Sequence, residues 1–158
     1  MTNFTHTDFV KPMRVIAISG YFNPIHSGHI DYIKSAKLRG DVLVVIVNND
    51  NQVNLKGSVP FQDESERFKI VNNIKGVDRT ILSIDKDSTV CESLRLVHKT
   101  YQDDPFFDEM FFCNGGDRKE GGVPEDVLTE ELGINMLYNI GGGKVQSSSE
   151  LIKNVTKV

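Results

Sequence analysis

Two histidines, His26 and His29, stand three residues apart on either side of Gly28, directly after the turn Gly20-Tyr21-Phe22-Asn23-Pro24. A helix is expected to begin near His26 or Ser27, and residues three apart then share one side of its first turn. The free N–H groups and positive dipole end of such a helix attract anions, so phosphate is the natural ligand there. Gly20 allows a sharp exit from the preceding strand, Pro24 stiffens the turn, and Gly28 leaves room for a nucleotide to approach the backbone. Rival chemistries fit less well. Dinucleotide binding wants G-x-G-x-x-G, whereas Tyr21 and Phe22 follow Gly20; a Walker A loop wants Gly-Lys-Ser/Thr at the helix start. A zinc site needs a third Cys, Asp or Glu ligand beside the histidine pair.

The elements that must position this turn are legible as alternating apolar runs and amphipathic stretches. Val15–Ile18 and Val42–Val47 read as strands covered on both faces, with a helix between them carrying Ile30, Ile33, Ala36 and Leu38 and closed by Gly40. The pattern predicts further helices over Asp63–Ile74, Thr89–His98 and Pro124–Leu132, a last helix from Ser147, and strands at Thr80–Ile84, Glu109–Cys113 and Ile134–Tyr138. The expected fold is α/β, a single Rossmann-like, doubly wound, parallel five-stranded sheet with helices on both faces. Residues 1–12 read as a flexible leader and 13–158 as one domain. The span Asn48–Gln62 lacks periodicity, leaves the carboxyl end of the second strand, and reads as a loop beside the ligand crevice.

The 158 residues carry 18 Lys+Arg and 22 Asp+Glu, a formal charge of −4. That balance argues against a broad basic surface for nucleic acid, so an anionic ligand must be met locally. Two cysteines, Cys91 and Cys113, are too few for a disulfide framework and point to a reducing, cytoplasmic setting. No apolar run is long enough for a signal peptide or a membrane span. Ser147 followed by Glu150 makes a capping-box pattern, so a helix start is expected there on local grounds.

The stretch Gly20-Tyr21-Phe22-Asn23-Pro24-Ile25-His26-Ser27-Gly28-His29 resembles the G-x-F-(D/N)-P-x-H-x-G-H signature of the cytidylyltransferase-like nucleotidylyltransferases. The resemblance runs on through Val47-Asn48-Asn49-Asp50, Leu55-Lys56-Gly57, Glu66-Arg67, Val77-Asp78, Asn114-Gly115-Gly116-Asp117 and Ser147-Ser148-Ser149. These landmarks are similar to those of the heptose-1-phosphate adenylyltransferase and glycerol-3-phosphate cytidylyltransferase branches, and the Asn114–Asp117 stretch is closer to the heptose branch.

The resemblance implies transfer of AMP or CMP from a nucleoside triphosphate to a sugar or polyol phosphate, with release of pyrophosphate. His26 and His29 would donate N–H bonds to phosphate oxygens, Lys56 would be brought to the phosphates, and backbone around Gly20, Tyr21, Phe22, Asn23 and Gly28 would cradle the same charge. It also implies that Ser147, Ser148 and Ser149 meet the β- and γ-phosphates. Gly116 would let the base or ribose come close, and Asp117 would accept bonds from ribose hydroxyls or a base amine. Mg²⁺ is the implied cofactor, held largely by the triphosphate and water, and a homodimer the implied assembly, with no nucleic acid or membrane partner. Two other readings stay open: a nucleotide-binding regulatory protein without turnover, and a nucleic-acid-binding module, which the acidic balance disfavours.

Overall fold

The computed structural model describes residues 11–115 and 123–141. Five strands, β1 (Met13–Gly20), β2 (Val42–Val47), β3 (Arg79–Leu82), β4 (Phe107–Gly115) and β5 (Asn135–Ile140), form one sheet in the order β3-β2-β1-β4-β5. Every pairing is parallel. The helices among the described residues are α1 (Ser27–Lys37), α2 (Asp50–Leu55), α3 (Glu64–Asn72), α4 (Cys91–Gln102) and α5 (Asp126–Leu132).

The apolar runs are continuous because each central strand is covered on both faces. Successive side chains point to opposite sides. Val15, Ala17, Val44, Ile46, Met110 and Phe112 meet Leu94 and Val97 of α4 and Leu128 of α5. Ile16, Ile18, Leu43, Val45, Val47 and Cys113 meet Ile33 and Ala36 of α1 and Val71 of α3. Burial pushes the Cys113 thiol up to about 12 and also raises Cys91. Both cysteines are free, and neither is set up as a thiolate nucleophile.

β1 lies at the centre, with β2 on one side and β4 on the other, so the chain changes direction of travel between β1 and β4. Open α/β sheets bind ligands at that switch point, outside the carboxyl ends of the strands. β1 reaches it at Gly20, which is in register with Val47 at the end of β2. The doubly wound parallel sheet expected from the sequence is therefore present.

One local expectation fails. The stretch read as a loop from Asn48 to Gln62 opens with α2, a helix capped by Asn49, whose side chain accepts from the Gln52 amide while Gln52 reciprocates to the Asn49 amide. Six residues are too few to show an apolar period, yet Asn followed three residues later by Gln is a helix-start signal. The expected helix from Ser147 lies outside the described residues. No helix among the described residues is long and apolar enough to cross a membrane.

Candidate active site

The turn after β1 is built from the inside. Phe22 is buried and takes a left-handed backbone (φ 50°), and the Asn23–Pro24 peptide is cis. The Phe22 ring folds back on Gly20, where a Cβ would come within 2.8 Å of it. Gly20 is thus a requirement of packing. The same ring meets His29 edge-on, with centroids 5.0 Å apart.

α1 begins with an unusual cap. His26 is the N-cap residue in extended conformation, and its Nδ1 accepts from the Gly28 amide at 3.1 Å. In return the His26 amide donates to Nδ1 of His29, also at 3.1 Å. The two rings stack at 3.8 Å. Because a backbone N–H points at each Nδ1, that nitrogen must be unprotonated, and the proton of each neutral imidazole sits on Nε2. The cap therefore fixes both rings by their Nδ1 atoms at the first turn of α1.

Gly28 stands against the ring that caps the helix. A Cβ there would stand 2.9 Å from Cε1 and 3.0 Å from Nδ1 of His26. The missing side chain makes room for the His26 ring.

Lys56, the C-cap residue of α2, places Nζ 4.3 Å from the centroid of the Tyr21 ring. This brings the loop lysine to the histidine-bearing turn, a contact worth roughly 0.5–1 kcal/mol at an exposed site. The strap that follows Lys56 is fastened to the same turn by Asn23. Asn23 is buried; its Nδ2 donates to the Val59 carbonyl at 2.9 Å, and its Oδ1 accepts from the Phe61 amide at 2.6 Å.

Polar residues lock the neighbouring loops. Gln52 is fully buried and donates to the carbonyls of Asp87 and Thr89, both at 2.8 Å, while Asn49 donates to those of Ser83 and Asp85. The Asp85 carboxylate accepts from the Glu92 and Ser93 amides at the start of α4. The Thr89 hydroxyl and amide hold the Asp87 carboxyl below its usual range. Gln52 was missed in the sequence, although the Asn49–Gln52 spacing could have found it; Arg67 stood out only as a landmark.

At the far side of the switch point, the Tyr32 hydroxyl of α1 donates to the Cys113 carbonyl at 2.6 Å. A Cβ on Gly115 would come within 3.2 Å of the Tyr32 ring. Gly116, Asp117, Ser147, Ser148 and Ser149 lie outside the described residues. Of the sequence-predicted site residues within them, Gly20, Tyr21, Phe22, Asn23, His26, Gly28, His29 and Lys56 gather at the end of β1.

The cytidylyltransferase-like family matches residues 17–125. A FAD synthase of Thermoplasma acidophilum is 45% identical over 75 residues, which are 48% of this chain and 52% of that protein. The chain thus spans about half the length of that curated relative. The bifunctional protein HldE of Histophilus somni is 28% identical over 156 residues, 92% of this chain and 28% of that protein. Among solved structures, a lipopolysaccharide core biosynthesis protein from Thermoplasma volcanium superposes with a TM-score of 0.62 at 27% identity, covering 84% of this chain and 99% of that one.

Proposed function

Because the chain belongs to the cytidylyltransferase-like family, we propose that it transfers a nucleotidyl group from a nucleoside triphosphate to a small phosphorylated acceptor and releases pyrophosphate. The observation that carries this reading is the reciprocal His26–His29 cap, which fixes two imidazole N–H donors at a helix N-terminus on the switch point.

In the transfer, an anionic oxygen of the acceptor phosphate attacks the α-phosphorus. A new P–O bond forms as the bond to the bridging oxygen breaks, and that electron pair leaves with pyrophosphate. The acceptor oxygen is already ionised near neutral pH, so no side chain need act as nucleophile or base. The protein's work is orientation and stabilisation of charge on the phosphoryl oxygens. Nε2–H of His26 and of His29 would donate to those oxygens, and Lys56 would offset repulsion between donor and acceptor phosphates.

The donor set at the turn is imidazole, backbone N–H and ammonium, which suits anions. Nearby carboxylates have other partners: Asp50 pairs with Arg67, and Asp85 caps α4. Mg²⁺ in this reading arrives as the complex of the triphosphate, whose oxygens are the hard ligands it prefers.

ATP is the first donor to test. FAD is flavin mononucleotide bearing an adenylyl group, and flavin mononucleotide is itself a polyol phosphate, so the FAD synthase relative fits the proposed acceptor class. Heptose 1-phosphate and glycerol 3-phosphate are the other acceptors to compare, and the resemblance implies a homodimer.

The experiment supplies each nucleoside triphosphate with Mg²⁺ and each of the three acceptors, and follows pyrophosphate and the nucleotidylated product. ATP with one acceptor is expected to give both in equal amounts. A preference for CTP would move the reading to the cytidylyl branch. Triphosphate binding with no product over the whole panel would favour a non-catalytic nucleotide-binding protein.

A further inference from the structure

Arg67 has the most buried charge among the described residues. Its side chain is 0% exposed. The guanidinium donates from Nε to the Gln62 carbonyl at 3.0 Å, from Nη1 to the carbonyls of Tyr21 at 2.8 Å and Asn48 at 2.6 Å, and from Nη2 to Oδ1 of Asp50 at 2.7 Å. Four segments meet on one planar group: the turn after β1, the end of β2, the first residue of α2, and the strap leading to α3.

Burying a cation is costly unless it is paired and fully hydrogen-bonded. A purely stabilising ion pair would need only Asp50, which is 29% exposed. Here three of the four bonds go instead to backbone carbonyls from different loops, an arrangement that suits the fixed fork of arginine and not the point charge of lysine. With no exposed surface, the guanidinium cannot itself reach a phosphate.

Tyr21 shows what the clamp acts on. Its carbonyl is held by Arg67 while its ring lies under the Lys56 ammonium. Gln62, at the other end of the Lys56 strap, is held by Arg67 through its carbonyl and by Asn23 through its amide. The strap is therefore fixed to the histidine turn at both ends.

We propose that Arg67 is a positioning residue for the transfer: it joins the Lys56 strap and the Tyr21–Asn23 turn into one body, so that Lys56 and the two imidazoles keep a fixed separation. This rests on the nucleotidyl-transfer reading for its kinetic consequence but not for its structural one.

The test is a pair of double-mutant cycles, Arg67→Lys with Lys56→Ala and Asp50→Asn with Lys56→Ala, read as kcat and KM for pyrophosphate release. Arg67→Lys is expected to lower kcat at least tenfold with little change in KM for the triphosphate. Lys56→Ala should then cost much less in the Arg67→Lys background than in the wild type, because effects transmitted through one group are not additive. Asp50→Asn keeps the three carbonyl bonds, should lower kcat several-fold, and decides the question alone if Arg67→Lys does not fold. Hydrogen exchange of the Phe61 and Gln62 amides should speed up at least tenfold in the variants while α4 amides do not change. A wild type that transfers nothing overturns the functional reading, and the exchange result then judges the clamp. Fully additive costs, or unchanged exchange in the strap, would overturn the clamp.

Discussion

Replacing His29 with alanine is expected to cut nucleotidyl transfer by roughly 10²–10³-fold while leaving the protein folded. The kinetic estimate is the usual loss when one preorganised donor to a developing oxyanion is removed. His29 also accepts from the His26 amide and packs edge-on against Phe22, so a stability cost of about 1 kcal/mol is expected from the weakened cap. Such a loss leaves a domain of this size folded at room temperature. Pyrophosphate release and a thermal melt on the same samples separate the two effects. Turnover within a few-fold of the wild type would mean that His29 is only a cap.

Gly28→Ala should separate fold from function more sharply. Alanine near the start of a helix gains up to about 1 kcal/mol over glycine. Its Cβ would enter the space held by the His26 ring, 2.9 Å from Cε1, and the ring would have to move, giving up its bond to the Gly28 amide. Loss of that cap is worth about 1 kcal/mol in the opposite direction. The net change in stability is therefore expected to be small. Transfer, however, should fall by about 10²-fold, because displacing a reacting or stabilising group by an ångström costs that much. The measurement is kcat beside Tm. Unchanged kcat would show that the placement of His26 does not matter to the reaction.

Much of the fold was legible because it is written in residue types. The uninterrupted apolar runs of β1 and β2 announced strands covered on both faces, and the Gly20–His29 stretch announced a helix start at a ligand crevice. Boundaries moved where tertiary contacts extend an element beyond its apolar residues, as in β4, which runs to Gly115 beside Tyr32. α2 was missed because its six residues are held by the Asn49–Gln52 cap and by bonds to the β3–α4 loop, and contacts of that kind leave no period in the sequence.

The histidine pair was found for its chemistry, but its structural role was not. Histidine is not among the usual N-cap residues, and only the geometry shows each ring accepting a backbone N–H. A sequence cannot show which neighbour fills the space beside Gly28, here the His26 ring. Nor can it show that Arg67 gathers carbonyls from Tyr21, Asn48 and Gln62, because those partners are main-chain atoms common to every residue.

The direct probe of the histidine cap is the ¹⁵N spectrum of the two imidazoles during titration with ATP and Mg²⁺. Both rings are expected to show an unprotonated Nδ1 and a protonated Nε2 in the free protein, and both Nε2 signals should shift as the triphosphate binds. Protons on Nδ1, or two imidazoles that do not respond to a bound triphosphate, would contradict a site in which His26 and His29 are fixed by the backbone to hold phosphate.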